Sequence, residues 1–234
     1  EYYCYVKVIG KGAFGIATLG IHKLTGKHVA IKTIKKSYIK DEYSRRKVFQ
    51  EIFVLKKIRH SNIIRLLEVF ETPKHILLVM EYANGGDLLH FVRNVGKLPE
   101  YDTKHIFRQI LYGLAHCHCR SVMHRDIKLD NILLDDNFQV KLIDFGFAEE
   151  WSVNKADMLD DWGKAKIMGT KGYISPELLF NDGNEPIWLK KCDIFALGVI
   201  LFILLKGVRP FKSPTRDDEY YQYLEVEKNN YFWK

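Results

Sequence analysis

Residues 124 to 131, His-Arg-Asp-Ile-Lys-Leu-Asp-Asn, place two acids and two cations among hydrogen-bonding groups within eight positions. That density of charge suits proton and phosphate chemistry. Asp126 can accept a proton from an attacking hydroxyl, and Lys128 can neutralise charge on a phosphoryl group in transfer. Asn131, with a second acid, can hold a divalent metal. The second acid is Asp144, followed by Phe145 and Gly146, with the glycine freeing the backbone just after the carboxylate. Either motif alone reads as a polar turn, but the two together favour a catalytic pair. Upstream, Gly10-x-Gly12-x-x-Gly15 lets backbone approach phosphate oxygens without Cβ clashes, and it lies between two strand-like runs instead of opening a helix. Lys32 closes Val29-Ala30-Ile31-Lys32, a strand-borne ammonium within reach of α and β phosphates.

Elements must hold these groups. Alternating and β-branched residues from Tyr3 to Lys32, broken by glycines, predict three antiparallel strands. Residues 45 to 58 put Val48, Ile52 and Leu55 on one helical stripe with Glu51 at its border, where an acid needs a partner. Strands are predicted over Leu66 to Glu71 and Ile76 to Glu81, followed by the polar run Ala83-Asn84-Gly85-Gly86-Asp87. From Pro99, taken as the first turn, Ile106, Phe107, Ile110, Leu111 and Leu114 recur at helical period to about Arg120. The apolar run Ile194 to Leu205 is too short to span a bilayer and predicts a buried helix, with Asp193 just before it. His116-Cys117-His118-Cys119 suggests zinc, but adjacent ligands on a helix point in different directions and no second cluster completes a site.

Bulk properties narrow the function classes. A chain of 234 residues can bury a sizeable core. The net charge of +7 comes from bases dispersed among 29 acids, so no clustered basic face recommends a nucleic-acid binder. Four cysteines form no disulfide framework, which favours a reducing compartment, cytoplasm or nucleus.

These motifs, in this order, resemble the eukaryotic protein kinases, and Lys128 resembles the serine/threonine branch, especially its calcium/calmodulin-dependent and cyclic-nucleotide-dependent groups. The resemblance covers about residues 5 to 226. It implies an α+β, bilobal fold: a small, mostly antiparallel β lobe (1–82), a linker (83–87) and a larger, mostly α lobe (88–234) that lacks its last helices. It implies transfer of the γ-phosphoryl group of ATP, with Mg²⁺, to Ser or Thr of protein substrates. Lys32 paired with Glu51 would orient phosphates, Asp126 the hydroxyl, and Lys128 with Thr170 the transfer geometry, while Asn131 and Asp144 would hold metal. The implied nucleotide contacts are Ile9, Gly10, Lys11, Gly12, Ala13, Phe14, Gly15, Ala17, Ala30, Lys32, Met80, Glu81, Ala83, Asp87, Leu133 and Asp144. His124 is implied to be a packed structural residue.

Departures from the family pattern add expectations. Ala17 stands where relatives carry Val, Phe195 where they carry Trp, and Lys166 where many carry a phosphorylated Thr. Arg125, which contacts a loop phosphate in relatives, is expected to pair with Asp157, Asp160, Asp161 or a phosphorylated Ser152. Glu177 normally pairs with an Arg beyond Lys234, so exposed apolar surface and a partner or regulatory segment completing the larger lobe are expected. Asp87 and Asp130 suggest preference for Arg on the substrate's N-terminal side. The rival reading is a kinase-like scaffold with little or no catalysis.

Overall fold

The computed structural model describes residues 2–12, 15–150, 167–180 and 188–223. Its first third holds a five-stranded antiparallel sheet built from β1 (Tyr3–Gly12), β2 (Gly15–His22), β3 (His28–Lys35), β4 (Leu66–Glu71) and β5 (His75–Glu81), in the order β1-β2-β3-β5-β4. Alternation along β3 decides which face each residue joins. Val29 and Ile31 pack with Val79 on one side. Ile34 packs on the other with Ile76, Leu78 and the Val48–Ile52 stripe of helix α1 (Glu42–Lys57). Lys32, two residues before Ile34, therefore shares the face that α1 covers. The helix begins three residues earlier than its apolar stripe predicts, because the Asp41 side chain caps it, accepting from the Ser44 N–H at 2.6 Å.

Beyond β5 the chain becomes mainly helical: α2 (Leu88–Val95), α3 (Glu100–Cys119), α4 (Pro176–Leu179), α5 (Leu189–Lys206) and α6 (Glu219–Gln222). Pro99 is the residue before α3, extended at ψ 150°, and not inside its first turn as the sequence suggests. Helix α5 stops at Gly207, whose φ of 75° is the left-handed conformation that a helix end favours. The main core joins Leu88, Ile110, Leu114, Leu129, Ile132, Phe145 and Ile200. The helix expected to be buried packs Ala196, Leu197, Val199, Ile200, Ile203 and Leu204 into the core but leaves Ile194 54% exposed, and outside it Phe180, Trp188 and Val208 are exposed as well.

Four short strands in two pairs matter most for the site. β6 (Val122–Met123) pairs with β9 (Glu149–Glu150), and β7 (Ile132–Leu134) pairs with β8 (Val140–Leu142). The β7–β8 hairpin, with Ile132 opposite Leu142, brings Asn131 beside the residues that follow β8. The Ile143 N–H donates to the Asn131 carbonyl at 3.0 Å, which ties Asn131 to the residue just before Asp144, although Asn131 and Asp144 are thirteen positions apart. No helix of the described residues is long and apolar enough to cross a membrane.

Candidate active site

Lys32 on β3 and Glu51 on α1 meet across the sheet–helix interface, with the ammonium 2.7 Å from both carboxylate oxygens. Glu51 is 5% exposed, a burial that an acid tolerates only with a cation in place. Burial pulls the Lys32 ammonium down, but Glu51 and Asp144 outweigh it and hold its pKa above the ordinary value. A charged lysine faces two carboxylates, one of which anchors it.

The loop of residues 124–131 presents Asp126 in a closed hydrogen-bond circuit. The Thr170 hydroxyl donates to Asp126 Oδ1 at 2.8 Å and accepts from Lys128 Nζ at 2.7 Å. Lys128 Nζ also lies 2.9 Å from Asp126 Oδ2, and the Asn131 amide donates to the same oxygen at 3.0 Å and to the Asp126 carbonyl at 2.9 Å. Both carboxylate oxygens of a residue only 4% exposed are thus oriented by neighbours. Gly169 makes this approach possible: it sits at φ 113°, and a Cβ there would come within 3.0 Å of the Arg125 carbonyl.

Asp144 stands opposite. Its φ of 61°, like the 67° of Arg125, is a left-handed conformation that non-glycine residues rarely adopt, and both occur in the two predicted chemical motifs. Burial pushes the Asp144 carboxyl up. Lys32, His124, the Gly146 N–H and Lys128 overcome that push and hold it below its ordinary value, so it is a carboxylate at neutral pH. Phe145 is fully buried against His124, with ring centroids 4.7 Å apart. His124 Nε2 is 3.0 Å from the Ile143 carbonyl, as befits a packed histidine. Asp193, at the base, accepts from the N–H groups of His124 and Arg125 at 3.0 and 2.8 Å and lies 2.7 Å from His118 Nε2.

The glycine stretch divides in role. A Cβ on Gly12 or Gly10 would meet only ordinary contacts, at 3.9 and 3.7 Å, leaving open backbone. On Gly15 it would fall 1.9 Å from the Thr33 carbonyl, so this glycine serves the close approach of β2 to β3. Register then lines up Gly10 with Ala17, Ala17 with Lys32, and Ala30 with Met80. Below them the linker is pinned to β7, with Gly85 N donating to Leu134 O at 2.8 Å and Asp87 bridged to Leu133. Ala83 is buried, Ile9 and Lys11 are exposed, and Glu81 is held by Lys141 and the Arg65 N–H. Asp87 caps α2 through the His90 N–H at 2.7 Å. Ala13 and Phe14 lie outside the described residues, as do Ser152, Asp157, Asp160, Asp161 and Lys166.

A match to the family described as protein kinase domain runs over residues 3–231. The chain belongs to the protein kinase family. Among curated relatives, this kinase domain is 40% identical over 214 residues to the serine/threonine-protein kinase SIK3 homolog of Danio rerio, covering 92% of the chain and 17% of that protein. It is 37% and 36% identical over 220 residues to the serine/threonine-protein kinases SRK2I and SRK2D of Arabidopsis thaliana, covering 93% of the chain and 57% of each. The chain therefore spans a fraction of each relative. The fold is the bilobal α+β kinase fold that the motifs imply.

Sequence reasoning missed three contacts of the kinase site. Arg125 pairs with Glu149, an acid that was not nominated; the four alternatives fall outside the described residues. Lys47 lies 3.3 Å from the ring centroid of Phe147, just after Gly146. Its spacing of four from Glu51 was a usable signal, since such residues share a helix face. His118 joins Asp193 although it sits in the zinc-like run. No group of three or more possible metal ligands occurs among the described residues, and burial pushes the Cys117 thiol up to about 12. Phe195, in place of Trp, stacks on Phe211 with centroids 6.0 Å apart.

Proposed function

We propose that the protein is a serine/threonine kinase transferring the γ-phosphoryl group of ATP, with Mg²⁺, to hydroxyls of protein substrates. The observation that carries this reading is the Thr170–Asp126–Lys128 circuit facing the Lys32–Glu51 pair and an ionised Asp144. A scaffold has no use for an acid whose two oxygens are oriented this closely.

The donor set fits the implied metal. Asp144 and Asn131 offer hard oxygen ligands, and Mg²⁺ takes one or two protein oxygens and completes its shell with water and phosphate. When bound, it neutralises phosphate charge and orients the phosphoryl group. The chain's own residues do the rest. Lys32, fixed by Glu51, meets the α and β phosphates, while Gly10, Gly12 and the linker backbone at Glu81 and Ala83 hold the nucleotide. Ala17, Ala30, Met80 and Leu133 form its apolar walls. Asp126 accepts the proton of the attacking hydroxyl, and Lys128, bound to Thr170, stabilises charge on the oxygens in transfer.

Finer features belong to the same reading. The lobes divide at residues 83–87, where Gly85 and Gly86 carry the backbone across β7. Asp87 and the exposed Asp130 favour substrates with Arg before the target residue. Four free cysteines accord with the cytoplasm or nucleus. The test is phosphate transfer from MgATP to a basic Ser/Thr peptide, with Asp126→Asn as control. Transfer lost in the control supports the reading; no transfer by wild type, or equal transfer by both, rejects it in favour of the scaffold.

A further inference from the structure

Two consecutive acids outside the family motifs reach two parts of the site at once. Glu149 and Glu150 form β9, paired with Met123 and Val122 of β6, both of which are buried. Successive strand side chains leave opposite faces, and the contacts show where each goes. Glu149 pairs with Arg125, the neighbour of Asp126, and Glu150 pairs with Lys57, the last residue of α1. We propose that Glu149 and Glu150 are positioning residues that hold the catalytic loop and the end of α1 in their reacting arrangement through Arg125 and Lys57, so that transfer requires no phosphate on the protein. The proposal rests on the kinase reading above and adds its regulation.

The two arms differ in strength. The Arg125 side chain is 8% exposed and Glu149 31%, so a guanidinium largely removed from water is met by a carboxylate built into the chain. Lys57 and Glu150 are each 34% exposed, and solvent weakens that pair. Lys57 nevertheless sits where a helix favours a cation, at the C-terminal end of α1. Arg125 is a sensitive point: its backbone is left-handed and its N–H is held by Asp193, so a change in its side chain's anchorage is transmitted directly to Asp126. An encoded carboxylate is present at all times, whereas a phosphate must be added.

The experiment uses the full chain as wild type, Glu149→Gln, Glu149→Asp and Glu150→Gln, each with its melting temperature, kcat and KM for ATP. Glu149→Gln is expected to lower kcat about tenfold with little change in KM, Glu149→Asp to recover most of the loss, and Glu150→Gln to cost about threefold or less. Hydrogen exchange in residues 124–131 is expected to rise in Glu149→Gln. A folded Glu149→Gln protein with wild-type kcat and unchanged exchange overturns the proposal. If that variant does not fold, wild type stripped by a protein phosphatase and verified by intact mass decides: activity kept within about twofold supports it, and a loss beyond about tenfold overturns it. Failure of the kinase reading is separate, since wild type would then match Asp126→Asn while the exchange comparison still tests the anchorage.

Discussion

Thr170→Val removes the hydroxyl at the centre of the Asp126–Lys128 circuit and keeps the β-branched shape. The wild-type hydroxyl donates to Asp126 at 2.8 Å and accepts from Lys128 at 2.7 Å. Hydrogen bonds to charged partners contribute about 1.5–3 kcal/mol each. Both bonds disappear in the variant, but Lys128 still reaches Asp126 directly at 2.9 Å and Asn131 does so at 3.0 Å, so the carboxylate is not orphaned. Counting one bond's worth, about 2 kcal/mol, gives a fall in kcat of about 30-fold. Thr170→Ser keeps the hydroxyl and is expected within about threefold of wild type. The assay is steady-state phosphorylation of a basic peptide over a range of ATP, reporting kcat and KM separately. Because Thr170 orients the acid that meets the hydroxyl, the loss belongs in kcat, with KM for ATP nearly unchanged. A Val variant within threefold of wild type, or a Ser variant as impaired as Val, would refute the reasoning.

The glycine stretch makes a stability prediction: Gly15→Ala, whose Cβ would meet the Thr33 carbonyl at 1.9 Å, should lower the melting temperature markedly, whereas Gly12→Ala, with its nearest contact at 3.9 Å, should leave it near wild type. Equal melting of the two would contradict the assigned strand packing. Asp144 makes a pH prediction. Its folded pKa lies below the unfolded value, so its stabilising contribution is complete above about pH 4 and is lost as pH falls through the folded value. The melting difference between wild type and Asp144→Asn should therefore hold steady from pH 8 to about 5 and change only below about 4. A difference already changing between pH 7 and 5 would mean a raised pKa and sink the argument.

The sequence by itself determined which reactive groups the chain carries and at what spacing. Charged residues at fixed spacing in residues 124–131 and 144–146, a glycine stretch before a strand-borne lysine, and one acid on an apolar helix stripe carried the resemblance to the protein kinases before any coordinates. Periodicity specified the main elements as well, because burying one face of a strand or helix leaves its mark at spacings of two or of three to four residues. Tertiary structure alone decided which charges meet. Lys32 finds Glu51 because β3 register and α1 packing share a sheet face, and Asn131 is tied to Ile143, next to Asp144, because β7 and β8 fold back on each other. Arg125 finds Glu149 through β6 and β9, a two-residue ladder with no periodic signature. The packing constraint on Gly15 was likewise hidden from the sequence, since a Cβ clash depends on the neighbouring strand. Local spacing reports which groups a segment presents, whereas the partners of those groups depend on long-range packing that no single stretch encodes.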